Sequence, residues 1–264
     1  MAAAESAATA GAHAATPRPA QAATTDAPAA AYGPTDRTVT SRDRDRAGYD
    51  RALVHSLLDQ SFVCHLGFVR DGAPVVLPTL YARVGERLYV HGSTGSRPLR
   101  MAAGGGADSA GHGSPGADEA AEPAQPGLAV CVTVTHVDGV VLARSAFHHS
   151  INYRSVVVHG VAQQVTDPAE RTAALDALVN HVVPGRAADC RPANAKELAA
   201  TAVLRIDLAE ASAKWRVGGP NDEPEDLGLP HWAGVLPVTS GFGIPEPSGD
   251  LAADVPVPDY VTNR

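Results

Sequence analysis

Short strand-like runs joined by two-residue turns constrain the fold of this chain most strongly. Asp71-Gly72 separates the runs 62–70 and 74–84, and Gly85-Glu86 separates the second run from 87–91. Glycine accepts the positive φ that a tight hairpin requires. Each dipeptide therefore predicts a turn between two antiparallel strands.

The same pattern returns in the second half of the chain. Asp138-Gly139 predicts another hairpin between strands, and Gly160 lies between two further runs that continue the strands. The predicted strands are 128–137, 140–143, 153–159 continued by 161–165 across Gly160, and 202–208. Because helices do not alternate regularly with these six or seven strands, we expect an antiparallel barrel and not a β-α-β fold.

Three helices are predicted around the strands. Apolar residues at helical spacing indicate the first helix over 43–60. Asp167-Pro168-Ala169-Glu170 is typical of a helix start, with an N-cap aspartate and proline in the first turn, and this helix is expected to end near His181. Asn194 with Glu197 predicts a short third helix. The fold class is therefore α+β.

Charge and cysteine content exclude several classes of protein. The 264 residues carry a formal charge of −8, which argues against a nucleic-acid-binding or basic membrane surface. Cys64 and Cys131 lie in apolar runs, and the three cysteines form no CxxC pair, so free thiols and a cytoplasmic protein are expected. Residues 1–30 lack the pattern of a signal peptide, and no apolar run approaches the roughly 18 residues of a membrane span.

Three segments stand apart by composition. Residues 1–36 are rich in alanine and proline and are predicted to form a disordered arm. Residues 102–127 form a low-complexity insert, which we expect to be disordered or to act as a lid. Residues 246–264 are assigned to a C-terminal tail.

The segment Leu88-Tyr89-Val90-His91-Gly92-Ser93-Thr94-Gly95-Ser96-Arg97-Pro98-Leu99-Arg100 is typical of an anion-binding turn. A strand ends in glycine and hydroxyl residues, and two arginines follow. Hydroxyl groups donate hydrogen bonds, and the guanidinium fork of Arg97 matches phosphate. A helix that begins at Ser96 would direct its free N–H groups to the same anion. The segment thus predicts a local phosphate site, although a solvated polar turn has the same composition.

Two later segments give this turn a context. They are Asn152-Tyr153-Arg154-Ser155-Val156-Val157-Val158-His159-Gly160 and Ser212-Ala213-Lys214-Trp215-Arg216. In this order and spacing, the three segments resemble the FMN-binding split-barrel proteins related to pyridoxamine 5′-phosphate oxidase, in particular the bacterial flavin-nucleotide-binding branch. The resemblance covers about residues 37–245, apart from the insert. It implies an FMN-binding split barrel and a homodimer that builds each site across its two-fold interface.

The resemblance also implies roles for individual residues. A strand over 75–81 corresponds to the family's first flavin-binding strand, and Pro78 marks an edge or bulge there because it cannot donate to a ladder. Ser96-Arg97 corresponds to a Ser-Arg-Lys run in which Pro98 now replaces the lysine. Trp215 resembles a tryptophan that packs near flavin from the partner subunit. The cofactor-binding candidates are Val76, Leu77, Pro78, Thr79, His91, Gly92, Ser93, Ser96, Arg97, Arg154, Ser155, Lys214, Trp215 and Arg216.

The implied function is an FMN-dependent oxidase or reductase of an unidentified small molecule, with chemistry carried by the cofactor. No residue is assigned as an acid, base or metal ligand, and adjacent His148-His149 cannot easily chelate one ion. Two alternatives remain open. One is a haem-binding or haem-degrading split barrel with His91, His148, His149 or His159 on the iron. The other is a non-catalytic flavin carrier or sensor.

Overall fold

The structure is a computed structural model that describes residues 31–40, 44–104 and 127–264. Residues 1–30 of the expected arm and 105–126 of the expected insert lie outside the described residues. The first part of the chain forms β1 (Ala47–Gly48), α1 (Arg51–Asp59), β2 (Val63–Arg70), β3 (Ala73–Val84), β4 (Arg87–Ser93) and α2 (Arg97–Ala102). The second part forms β5 (Leu128–Leu142), β6 (Ser150–Gln164), α3 (Pro168–Val182), α4 (Ala195–Ala200), β7 (Thr201–Asp207), β8 (Glu210–Arg216), β9 (Gly234–Pro237) and α5 (Asp259–Thr262).

Six antiparallel strands pair in a closed circuit. Its order is β2–β3–β4–β7–β6–β5, and the pairing of β5 with β2 completes the ring. Outside the ring, β8 pairs with β6, β1 pairs with β8, and β9 pairs with β5. This arrangement confirms the expected α+β fold built on an antiparallel barrel.

The ring encloses the main apolar core. Buried residues such as Leu66, Val132, Val156 and Leu204 come from four different strands of it. The helix α1 adds Val54, Leu57 and Leu58, and α2 adds Leu99 and Ala102. The helix α3 packs outside the barrel over β3, β4 and β7, where Ala174 meets Tyr89 and Val203 in a second cluster. Burial of these faces provides the main driving force for the fold.

Two predicted hairpins form as expected. Asp71 and Gly72 have φ angles of 51° and 74° in the turn between β2 and β3. Gly85 has a φ of 59° in the turn between β3 and β4. Positive φ angles of this kind are what a tight turn between two antiparallel strands requires.

The prediction of a hairpin at Asp138-Gly139 is wrong. The strand β5 continues through the dipeptide, which forms a β-bulge opposite β6 instead. The strand β9 packs closely there, since a Cβ added at Gly139 would lie 2.9 Å from Val235 Cγ1. Glycine therefore serves close strand packing at this position, not a turn.

The helix predicted over 43–60 is shorter than expected. It begins only at Arg51, because Asp50 is the N-cap and its carboxylate accepts the Leu53 N–H at 2.8 Å. Ala47–Gly48, earlier in the same range, pairs with β8 as a strand. The helices predicted from Pro168 and Asn194 are confirmed as α3 and α4, the second with a capping box.

Both ends of the described chain pack against the rest of the protein, the first against the barrel and the second against the segment after α3. Tyr32, in the range assigned to the arm, is buried, and its hydroxyl donates to Glu86 at 3.0 Å. Tyr260 of α5, in the range assigned to the tail, hydrogen bonds to Asp189. Among the described residues, no helix is long and apolar enough to cross a membrane.

Candidate functional site

The barrel opens between β3 and β4. Tyr81 and Val90 form the last pair that joins these strands. Beyond it, residues 73–80 of β3 pair only with β2, and His91–Ser93 of β4 pair only with β7, within the described chain. We call this opening, between 76–80 and 91–93, the β3/β4 split. The two strands therefore leave backbone N–H and C=O groups available to a ligand along the split.

The predicted residues of β3 lie along this opening. Pro78 lies where β3 has no partner on the β4 side, as its missing N–H predicted. Val76 is 62% exposed and Leu77 is 38% exposed, while Thr79 is half-buried. Adjacent side chains of a strand point to opposite faces, so the exposure of both Val76 and Leu77 shows that β3 is solvent-exposed on both faces here.

The turn after β4 holds α2 against the barrel. A Cβ added at Gly92 would lie 2.7 Å from Leu99 Cδ1, so glycine makes room for this helix. The hydroxyl of Ser93 accepts the Gly95 N–H at 3.2 Å, and the Thr94 N–H donates to Ala200 O at 3.0 Å. A helix does follow this turn, as α2, with Ser96 at its N-cap.

The turn also presents unpaired polar groups. Ser96 Oγ is buried and makes no hydrogen bond with any described residue, although an N-cap serine usually bonds to its own helix. Arg97 and Arg100 are exposed and have no ion-pair partner among residues 31–40, 44–104 and 127–264. A buried hydroxyl without a partner is costly, so an acceptor placed here would relieve that cost. We call Ser93–Arg97 the phosphate turn.

His91 lies at the inner end of the split. Its ring is half-buried, and its Nδ1 atom has no hydrogen-bond partner in the described structure. Burial lowers the pKa of the imidazole below its ordinary value of 6.5. His91 is therefore neutral at pH 7, and one of its ring nitrogens is free to accept or donate.

The side chain of Arg154 bonds to residues of its own chain that lie outside the phosphate turn. Its guanidinium donates to both carboxylate oxygens of Asp138, at 2.9 and 2.8 Å, and to Gln60 Oε1 at 2.7 Å. Such a bidentate pair neutralises the guanidinium charge. In this structure Arg154 therefore ties β6 to the bulge in β5 and to the end of α1. Within the described residues, no hydrogen bond or ion pair joins it to the phosphate turn.

The remaining predicted residues lie on the β6–β8 pair. Ser155 pairs with Lys214, and its hydroxyl donates to the Lys214 carbonyl at 3.3 Å. The ring of Trp215 lies over Gly48, where an added Cβ would be 3.0 Å from it. Arg216 donates to Asn152 Oδ1 at 2.6 Å and to the Gly219 carbonyl at 3.0 Å.

The candidates thus form two groups. One comprises 76–79 and 91–97 at the β3/β4 split, and the other comprises 154–155 and 214–216 on β6 and β8. No hydrogen bond or ion pair joins the two groups within the described residues. Lys214 is half-buried, and its ammonium has no ion-pair partner in the part of the chain that the structure describes.

Two features were not predicted from the sequence. The loop before β6 exposes Phe147 and fixes His149, whose Nδ1 lies 3.0 Å from the Ser145 carbonyl. A cavity of about 600 Å³ lies between α1, α3 and the C-terminal segment, and Phe62 and Phe242 stack at its wall. The adjacent histidines were visible in the sequence, but a hydrogen bond to a backbone carbonyl leaves no sequence pattern.

A family model described as "Pyridoxamine 5'-phosphate oxidase" matches residues 50–110 and 110–215. Together these ranges cover more than half of the chain. The chain belongs to the pyridoxamine 5′-phosphate oxidase family. The resemblance inferred from the three segments is confirmed, and the barrel is the flavin-binding split barrel of this family.

Two solved structures are similar to this member of the family over most of its length. The flavocytochrome Anf3 from Azotobacter vinelandii is 35% identical, with a TM-score of 0.74, and the match covers 88% of this chain and 98% of that one. The FAD and heme binding protein from Mycobacterium smegmatis is 37% identical, with a TM-score of 0.71 and coverage of 83% and 96%. A search of the curated proteins gives no match.

The β3/β4 split fits the flavin nucleotide that this family implies. Ser96 Oγ is a buried hydroxyl without a partner, and Arg97 is a cation without one among the described residues. A phosphate would accept hydrogen bonds from both groups. The free backbone edge beside Val76–Thr79 offers donors and acceptors to a polar ring system, and exposed Val76 and Leu77 offer it apolar contact.

Proposed function

We propose that this protein is a flavin-dependent oxidoreductase that binds FAD and haem. The observation that carries the proposal is the pair of similar proteins, one described as a flavocytochrome and the other as FAD- and haem-binding. Their identities of 35% and 37% extend over more than four fifths of this chain. The sequence segments alone led to FMN. FAD is proposed in its place because the mycobacterial protein binds FAD and because both nucleotides carry a phosphate that the same turn can hold.

In this proposal the phosphate turn holds the flavin phosphate through Ser96 Oγ and the Arg97 guanidinium. The backbone of Val76–Thr79 would offer hydrogen bonds to the polar edge of the flavin ring, and His91 Nδ1 would offer one more. When bound, the flavin supplies hydride or electron transfer, while the protein orients it and shields it from water. The neutral state of His91 supports a hydrogen-bonding role and not a charged one.

We further propose a homodimer in which the second group of candidates completes the partner's site. This group lies apart from the phosphate turn in its own chain, which is the arrangement that a shared site requires. The outer faces of β2 and β3 support the proposal, because Val63, Val69, Val76 and Leu80 are all exposed there. An exposed apolar face of this kind marks an association surface. The substrate is proposed to be a small molecule, and the cytoplasm is the proposed location.

Substitution of Arg97 tests the flavin site. A hydrogen bond to a charged group contributes about 1.5–3 kcal/mol, or roughly 10- to 150-fold in affinity. Arg97→Ala is expected to weaken FAD binding by that factor in a fluorescence titration without a change in the unfolding midpoint of the cofactor-free protein. Arg186→Ala is the control, because this exposed arginine bonds to Tyr260 and lies outside both groups of candidates. Equal FAD affinity in both variants would place the phosphate elsewhere.

A further inference from the structure

His149 is held with one ring nitrogen free. Its Nδ1 atom lies 3.0 Å from the Ser145 carbonyl oxygen. A carbonyl can only accept a hydrogen bond, so Nδ1 carries the proton and donates. The Nε2 atom of the neutral ring then keeps its lone pair. This is the arrangement in which a histidine ligates a metal, since a hydrogen bond from the other nitrogen fixes the tautomer and the ring orientation.

The side chain of His149 lies on the same side of the chain as Ile151. The backbone of His149 is extended, with φ −60° and ψ 143°, and β6 begins at the next residue. Residues two apart in an extended chain point to one face. Both residues are exposed, whereas Asn152, which points to the opposite side of the strand, is buried.

An apolar surface extends from His149 across β5 and β9. Ile151 pairs with Val140, which pairs with Leu236, so the three side chains share one face. Ile151 is 44% exposed and Leu236 is 58% exposed. Trp232 covers Gly234 on this face, since a Cβ added at Gly234 would lie 2.8 Å from its ring. We call the surface of Ile151, Val140, Leu236 and Trp232 the β6–β9 face.

The loop before β6 adds a further exposed aromatic group. Phe147 is 88% exposed, two residues before His149, and Trp232 is 69% exposed at the far side of the β6–β9 face. Single exposed apolar residues are common on protein surfaces. A contiguous apolar surface beside an imidazole nitrogen that has no hydrogen-bond partner is unusual. A flat apolar group with a metal at its centre matches both features at once.

We infer that His149 Nε2 is an axial ligand of the haem iron and that the porphyrin lies against the β6–β9 face. The inference rests on the proposed haem binding and adds to it the site and the ligand. Three other histidines fit less well, because another group already lies at their Nε2 atom. His136 and His181 place Nε2 on backbone carbonyls, at 2.9 and 2.6 Å, and Nε2 of His148 lies 3.6 Å from Glu223.

The test is a titration of the purified full chain with haemin, followed by absorption and electron paramagnetic resonance spectroscopy. His149→Ala is expected to shift the Soret band, to change the ferric resonance spectrum and to weaken haemin binding. The loss should reach at least the roughly 10- to 100-fold that removal of a ligand's supporting partner costs. Added imidazole should restore the wild-type spectrum, because it replaces the missing ligand. His148→Ala, the matched control in the same loop, should keep that spectrum.

The outcomes separate the two proposals. If the wild-type protein binds haemin but His149→Ala has an unchanged spectrum, the assignment of the ligand is overturned and haem binding stands. If the wild-type protein binds no haemin, the haem part of the proposed function fails, and the FAD titration still decides the flavin part. Leu236→Asp should weaken haemin binding. If it instead separates a dimer and leaves haemin binding unchanged, the β6–β9 face is a contact between copies and the inference is wrong.

Discussion

Substitution of Ser96 by alanine distinguishes a structural turn from a phosphate site. An N-cap serine normally bonds to its helix, and its loss costs about 0.5–2 kcal/mol. Here Ser96 Oγ is buried, makes no capping hydrogen bond and has no partner among the described residues. A buried polar group without a partner costs about 1–3 kcal/mol. The cofactor-free Ser96→Ala protein should therefore be as stable as wild type, or more stable by up to about 1 kcal/mol.

Flavin binding should respond in the opposite direction. If Ser96 Oγ donates to a charged phosphate, its removal costs about 1.5–3 kcal/mol, or roughly 10- to 150-fold in the FAD dissociation constant. The stabilisation that saturating FAD adds to the folded state should shrink by the same amount. Denaturant unfolding with and without FAD measures both effects on one protein sample.

Ser93→Ala is the control for this experiment. The Ser93 hydroxyl accepts the Gly95 N–H, so its removal should lower the stability of the cofactor-free protein by about 0.5–1.5 kcal/mol. A Ser96→Ala variant that loses stability without FAD and binds FAD normally would contradict a role for Ser96 in phosphate binding. Ser96 would then be an ordinary helix cap.

Three further predictions concern packing, titration and assembly. Gly92→Val should lower the free energy of unfolding by about 1–3 kcal/mol in denaturant titrations, because its side chain would overlap Leu99, and unchanged stability would contradict this packing. Burial lowers the pKa of His91, so the unfolded chain takes up a proton at a higher pH than the folded one, and the free energy of unfolding should fall as the pH drops below about 6.5. His91→Gln should reduce that fall. An equal dependence of stability on pH in both proteins would show that His91 does not cause it. Val69→Asp should separate the proposed dimer in sedimentation velocity, whereas Val255→Asp in the C-terminal segment should not, and a wild-type monomer would exclude the shared site.

The sequence predicted the elements that depend on local chemistry. Asp71-Gly72 and Gly85 adopt the positive φ angles that their turns need, and Asp167 caps α3 as expected. Asp138-Gly139 has the same local pattern but forms a bulge, because β9 packs against it from about 95 residues later in the chain. A dipeptide cannot reveal a distant strand.

Short elements held by distant partners were missed for the same reason. The strand β1 has two residues and exists through its pairing with β8, and β8 places alanines in the core where longer apolar residues would give a clearer signal. At the candidate site, the sequence located the phosphate turn and its helix, but not that Ser96 Oγ lacks a partner. It also proposed Arg154 as a cofactor-binding residue, without its pairing to Asp138 across β5 and β6. Such pairings depend on strand register, which the resemblance alone did not define.

Whether the chain binds FAD and haem is decided by identifying the cofactors of the purified protein. The protein would be produced with riboflavin and a haem precursor in the medium, its absorption spectrum recorded, and the released cofactors weighed by mass spectrometry. We expect flavin bands together with a Soret band, and the released cofactors should have the masses of FAD and of haem. Each cofactor should be present at about one per chain. A protein that stays colourless, and that also fails to bind added FAD and haemin, would contradict this expectation.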